Sequence, residues 1–183
     1  MTISQNKKII PLFKDTYLAT IKNSVGVKTW RNFYARVNSR KMDIVKNGDL
    51  SCAFFVSSIL VIFGLLERIH GTVVGTVSDL KKSGWKKNKD LKPGAVIVWK
   101  EKVSKNGESH KHLGFFVGDK KAISNSSKTG QISRHHFTFG NKNNQPVRSI
   151  EAIYIHKKLN WKKTNFELWL KMSAKIRARS SIG

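Results

Sequence analysis

The chain has 183 residues, enough for one domain that buries roughly 70% of the surface its unfolded form would expose. Hydrophobic residues make up 39% and aromatics 10%, a globular composition that excludes an intrinsically disordered chain. The 35 Lys and Arg against 11 Asp and Glu give a net charge of +24, which predicts attraction to a polyanion without choosing among nucleic acid, anionic cell-wall polymers and acidic membranes.

No Gly-rich phosphate loop, zinc-finger spacing or aromatic RNA-binding signature occurs, so the sequence predicts no cofactor, and charge alone carries any nucleic-acid reading. A single cysteine, Cys52, excludes an intramolecular disulfide. The first twenty residues lack a long uncharged apolar stretch and a small-residue cleavage site. The expected location is therefore the cytoplasm, with non-classical export as the other route. The longest apolar run, Ala53 to Leu66, is interrupted by Ser57 and Ser58; at about 14 residues it reads as a buried helix and not an integral membrane segment.

In chain order, Leu12, Phe13, Tyr17, Leu18, Ile21 and Val25 follow a helical spacing, which predicts a helix over residues 12–24. Trp30, Phe33, Tyr34 and Val37 repeat it and predict a second amphipathic helix over 29–37. A turn at Lys46-Asn47-Gly48-Asp49 then leads into the apolar run, placing Cys52 at or near a helix N-terminus, with Gly64 loosening the far end. A short helix is expected over 77–82, with Thr76 or Ser78 as its cap and Gly84 as its stop. From Pro93 the pattern turns β-rich, with strands predicted at Ala95 to Trp99, His112 to Val117, Lys121 to Ser124 and Ile150 to Ile155. Helices first and an antiparallel sheet afterwards define an α+β class, the Cys helix packing on the sheet. Residues 1–158 form a single domain in this reading. Residues 159–183 form a basic C-terminal helix or tail, whose apolar stripe is Phe166, Trp169, Leu170 and Ile176.

A thiol at a helix N-terminus meets the positive end of the helix dipole, which favours thiolate; a nearby imidazole can pair with it, and a third polar group can orient the ring. His112 is the preferred partner. Along its strand His112, Gly114 and Phe116 share one face, while Leu113, Phe115 and Val117 share the other. Asn125 is favoured as the orienting residue and Ser124 is the competing choice, since a shift of one residue in register exchanges them. The plainer alternatives are a packed core cysteine and exposed loop histidines at His110 and His112. His135-His136 reads as a surface pair or half of a metal site, without acidic or thiol ligands nearby in sequence. The polar run Ser126 to Gly130 reads as an ordinary hairpin or as one wall of a cleft, and Trp85 and Trp99 as core residues or ligand platforms.

The ordered segments Ser51-Cys52-Ala53-Phe54-Phe55-Val56, Leu91-Lys92-Pro93-Gly94-Ala95-Val96-Ile97-Val98 and His112-Leu113-Gly114-Phe115-Phe116-Val117-Gly118 resemble the NlpC-type papain-like cysteine peptidases and the related CHAP amidases. The resemblance runs from about Gly48 to Asn125. The chain departs from the family in having Ser51 where Asp is common, and Ala53-Phe54 where Ser-Gly is common. The resemblance implies a papain-like fold with Cys52 as nucleophile, His112 as base and a polar residue of the following strand as third member. It implies a cysteine peptidase or amidase acting on a peptide or peptidoglycan-like substrate, with the basic surface drawn to an anionic polymer. Two other functions are open: a catalytically inactive basic scaffold that binds nucleic acid or another polyanion, and thiol chemistry directed at an isopeptide bond or thioester.

Overall fold

A computed structural model describes residues 9–103 and 107–159. Helix α1 (Phe13–Asn23) comes first, as its spacing predicts. The second predicted helix is instead a small hairpin, β1 (Tyr34–Val37) paired antiparallel with β2 (Arg40–Asp43). Asn38 and Ser39 both take positive φ, the conformation of the tight turns that match the twist of paired strands. Trp30 and Phe33 resembled a helical stripe because they are apolar at the right interval. In the fold they leave the hairpin to pack on the next helix, Trp30 edge-on to Phe55 and Phe33 stacked on Phe54.

Helix α2 (Cys52–Ile62) starts at the cysteine. Ser57 sits within its apolar body because its hydroxyl donates to the Ala53 carbonyl at 2.7 Å and accepts from His70 N–H at 2.9 Å. The helix ends before Gly64, which has φ +59°. Helix α3 (Val73–Lys82) begins four residues before the predicted start, and its cap is Thr72, whose hydroxyl accepts from Gly75 N–H, in place of Thr76 or Ser78. Gly75, a weak helix former, hid the first turn from the sequence pattern. Gly84, at φ +87°, does follow the end of the helix.

The strands are β3 (Trp85–Asn88), β4 (Val96–Val103), β5 (Ser109–Gly118), β6 (Lys121–Ser126), β7 (Gln131–His136), β8 (Asn141–Lys142), β9 (Gln145–Pro146) and β10 (Ile150–His156). Six of them form one antiparallel sheet in the order β3-β10-β4-β5-β6-β7, and β8 pairs with β9. Together with the helices this makes an α+β chain. The predicted C-terminal helix lies outside the described residues beyond Leu159.

Period-two alternation divides the sheet into two apolar layers. Val96, Val98, Leu113, Phe115, Ile123 and Ile132 pack against Phe55, Val56, Ile59 and Leu60 of α2 and Tyr17 and Ile21 of α1. Ala95, Ile97, Trp99, Phe116, Ala122 and Ile153 form the second layer, joined by Phe137 and Phe139. Both Trp85 and Trp99 are core residues, their indole N–H groups donating to the carbonyls of Leu65 and Phe137. Pro93-Gly94 opens β4 where the Tyr17 hydroxyl donates to the Gly94 carbonyl; a Cβ on Gly94 would stand 3.0 Å from the Tyr17 ring. No helix among the described residues is long and apolar enough to cross a membrane.

Candidate active site

The turn before Cys52 is fixed from two sides. Asp43 accepts hydrogen bonds from the N–H groups of Phe33, Val45 and Asn47 and from the Asn32 amide, closing the loop that leads into α2. Gly48, at φ +94°, lies against the backbone of Gly130 in the β6–β7 turn, where a Cβ on Gly48 would come 2.6 Å from the Gly130 Cα. The Asn125 side chain then donates to the Gly48 carbonyl at 2.6 Å. These contacts set the first turn of α2 at the end of the β5–β6 pair.

Ser51 precedes the helix, but its side chain makes no cap hydrogen bond, which leaves the first amides of α2 available to other acceptors. The backbone N–H groups of Leu113 from β5 and of Ala53 act on the Cys52 thiol in the direction that favours thiolate. The ladder between β5 and β6 ends one residue away, at Gly114↔Ser124. Cys52 is 7% exposed. Burial pushes its thiol above the ordinary value, outweighing those donors and the positive charge of Arg148. The helix terminus acts in the expected direction but does not prevail in the resting chain.

His112 lies on the sheet face opposite Leu113, against the rings of Trp99 and Phe139. Its Nε2 is 2.9 Å from the Ser124 hydroxyl, which is 2.8 Å from His135 Nε2. The third member of the cluster is therefore Ser124. The Asn125 side chain, favoured from sequence, points to the other face and braces the Cys52 turn. The physical reason is a bulge in β5. Gly118 pairs with Lys121, whereas from Phe116 onward the register is shifted by one, pairing Gly114 with Ser124. Gly114 has room for no side chain, because a Cβ there would stand 2.7 Å from the Ser124 Cβ and 3.0 Å from the Trp99 ring. The glycine of the His-x-Gly segment is what lets Ser124 reach His112.

The protonation pattern follows from the far end of this chain of bonds. His135 Nδ1 is 2.8 Å from the His136 carbonyl, which can only accept, so in neutral His135 the proton is on Nδ1 and Nε2 is an acceptor. The Ser124 hydroxyl then donates to His135 and accepts from His112 Nε2–H. His112 is left with a bare Nδ1 lone pair, the state a general base requires. Desolvation pulls the His112 pKa down to about 3, with the charges of Arg148 and His135 acting the same way and a backbone hydrogen bond to Asn125 opposing them. Burial lowers His135 as well. No hydrogen bond joins the thiol to the imidazole among the described residues; Leu113, which follows His112 in the strand, packs in the layer with α2, while His112 lies against Trp99 and Phe139.

Arg148 stands over the cluster. Its Nε donates to the Lys100 carbonyl, one terminal nitrogen donates to the His110 carbonyl, and its guanidinium carbon lies 5.9 Å from the centre of the Phe139 ring. Phe139 in turn stacks on His135, the centroids 4.0 Å apart. The sequence pattern gave no signal for Arg148 or for a role of His135 beside His112, since each reaches the cluster only through the fold. His110, by contrast, pairs with Glu108 at an exposed position. No group of three or more His, Cys, Asp or Glu side chains that could hold a metal ion is present among the described residues.

No family model matches the chain, and no curated protein matches it.

Proposed function

We propose that the chain is a papain-like cysteine hydrolase, a peptidase or amidase with Cys52 as nucleophile and His112 as base. The observation that supports this reading best is Cys52 at the first residue of α2, together with a strand imidazole, His112, whose tautomer is set by Ser124 and His135.

The thiol proton passes to His112 Nδ1 as the sulfur attacks the acyl carbon, forming the C–S bond and moving the carbonyl π pair onto oxygen. Backbone N–H groups at the start of α2 hold that oxyanion. Collapse breaks the C–N bond, and the departing amine takes the proton from His112. Water, deprotonated by His112, then cleaves the thioester and regenerates the thiol. Both groups rest neutral, so proton transfer accompanies attack and does not precede it. Through this cycle Ser124 and His135 are positioning residues that keep the His112 proton on Nε2.

Cell-wall peptide is the first substrate class to try, because a chain of charge +24 is drawn to anionic wall polymers. The test is a panel of nitrophenyl esters, peptide amides and wall-derived peptides. Wild-type turnover should disappear in Cys52→Ala and fall by about 10²–10⁴-fold in His112→Ala, with thermal unfolding of Cys52→Ala unchanged. Turnover that survives Cys52→Ala would sink the proposal. The neutral resting pair and the charge also favour a second reading, an inactive scaffold that binds a polyanion. That reading expects no turnover of any panel member and a steep salt dependence of nucleic-acid binding.

A further inference from the structure

Helix α3 packs on the same apolar layer as α2 but leaves a groove beside it. Val73 and Val77, one turn apart on α3, form one wall, and Val98, Ala152 and Tyr154 of the sheet form the floor. The space between them is about 350 Å3, within the range of small-molecule sites. Neither Cys52 nor His112 lines it.

The floor carries one polar group that the fold leaves without a partner. The other buried Tyr and Trp side chains are all satisfied: the Tyr17 hydroxyl donates to the Gly94 carbonyl, and the indoles of Trp85 and Trp99 donate to Leu65 and Phe137. Tyr154 is 2% exposed, and its hydroxyl has no hydrogen-bond partner among the described residues. Its oxygen is not among the fully enclosed unpartnered atoms, so the opening left to it is toward the groove that the side chain lines. A lone hydroxyl on an apolar floor is the kind of group that orients a bound molecule.

Charge adds a direction. A bulge between Ile150 and Ala152 brings Glu151 to the rim, where its carboxylate holds Lys111 at 2.8 Å. Lys81 of α3 and Lys87 of β3 also line the groove, Lys87 directly across the ladder from Tyr154. No carboxylate lies within ion-pair distance of either lysine among the described residues. The only acid of the rim is therefore engaged, and the two remaining cations complement an anion. The chain's own C-terminal segment, rich in Lys and Arg, has the wrong charge to fill this place.

We propose that the groove between α3 and the sheet is a binding site for a small amphipathic carboxylate. Its apolar body lies along Val73, Val77, Val98 and Ala152, while its head accepts from the Tyr154 hydroxyl and meets Lys87 and Lys81. The site is separate from the thiol and stands whether or not Cys52 reacts.

The test is calorimetric titration of the whole chain with octanoate at physiological ionic strength, where saturable binding to one site is expected. Octan-1-ol, of the same length without the charge, should bind about tenfold more weakly for the loss of both lysine contacts. Tyr154→Phe should weaken octanoate about fivefold, the size of one hydrogen bond, with no fall in unfolding temperature because the hydroxyl has no partner in the fold to lose. Lys87→Gln, at an exposed position, should weaken it about threefold. Lys22→Gln, an equal loss of charge on an exposed position of α1, should leave the affinity where it was, and so should Cys52→Ala. A groove that holds only water gives no saturable octanoate binding, which overturns the inference. Equal affinity for octan-1-ol, a Lys22→Gln effect as large as that of Lys87→Gln, or unchanged affinity in both folded Tyr154→Phe and Lys87→Gln overturns it as well.

Discussion

Two histidine networks of similar parts are built for different ends. In the first, His70 Nε2 meets Asp79 at 2.8 Å, Ser83 donates to the other oxygen of the same carboxylate at 3.1 Å, and His70 N–H donates to Ser57 of α2. In the second, His112, Ser124 and His135 are joined by bonds of 2.9 and 2.8 Å. The first contains a carboxylate and no nucleophile. It ties α3 to the segment following α2, and its hydrogen bonds bring Asp79 below the usual carboxylate range against the opposing effect of burial. The second has no carboxylate at all, so nothing in it fixes a charge, and a proton can be accepted at His112 and its effect passed along neutral groups. A carboxylate makes such a network a clasp; under the function proposed above, its absence leaves a relay.

The sharpest way to break this comparison is to remove one member of each network. Ser124→Ala should lower turnover by about 10²-fold, short of the roughly 10⁴-fold loss that a wrong tautomer produces in a serine triad, while costing at most about 1.5 kcal/mol of stability. Asp79→Asn should do the reverse, losing about 1–3 kcal/mol in urea unfolding and leaving turnover per folded molecule unchanged. If both substitutions act mainly on stability, the second network is a clasp too.

Gly114→Ala tests the approach that makes the relay possible. The new methyl must displace the Ile123 carbonyl and Ser124 and crowd the Trp99 ring, at a cost of about 1–3 kcal/mol, and turnover should fall with it because the His112–Ser124 bond lengthens. Retained activity in a destabilised Gly114→Ala would show that Ser124 is dispensable.

The smallest expected effect is the pH at which each network weakens. His112, His135 and His156 are held neutral below their ordinary values, chiefly by burial, so the unfolded chain binds more protons than the native one once pH drops below about 6.5. Stability should therefore decline as pH falls from about 6.5, His112 contributing down to about 3. Asp79 works in a different window. Its depressed pKa contributes stability above the ordinary carboxylate value of about 3.9, which is lost as pH falls through the native value. Urea midpoints measured against pH should show a shallower decline between 6.5 and 4 in His135→Gln. In Asp79→Asn the midpoint should lie below that of wild type above about 4, and the two should converge as pH falls further.

Much of this was legible in the sequence where burial writes a period. The apolar run of α2 and the alternations of β4, β5, β6 and β10 appear where they are expected, with Cys52 at the start of the helix and His112 on a strand. Strand β7 escaped notice because only Ile132 of its six residues is buried and apolar. The β1–β2 hairpin was hidden by a chance helical spacing of four aromatic and aliphatic residues, of which Trp30 and Phe33 pack on α2 while Tyr34 and Val37 are exposed on the hairpin. Ser124 and Asn125 could be separated only by the bulge in β5, a backbone irregularity no side-chain pattern announces. Arg148 and His135 arrive from later segments and carry no fixed spacing from Cys52.

The brace between Asn125 and Gly48 spans 77 residues of chain, and the groups that surround the sulfur come from α2, β5 and the segment before β10. Contacts of such long sequence separation form late, after the cost of closing large loops has been met. A nascent chain emerging from the ribosome therefore carries Cys52 as an ordinary thiol. The surroundings of the thiol assemble only when β5, β6 and Arg148 have all been made and docked, so that synthesis itself leaves Cys52 open to solvent until there is a completed fold to contain it.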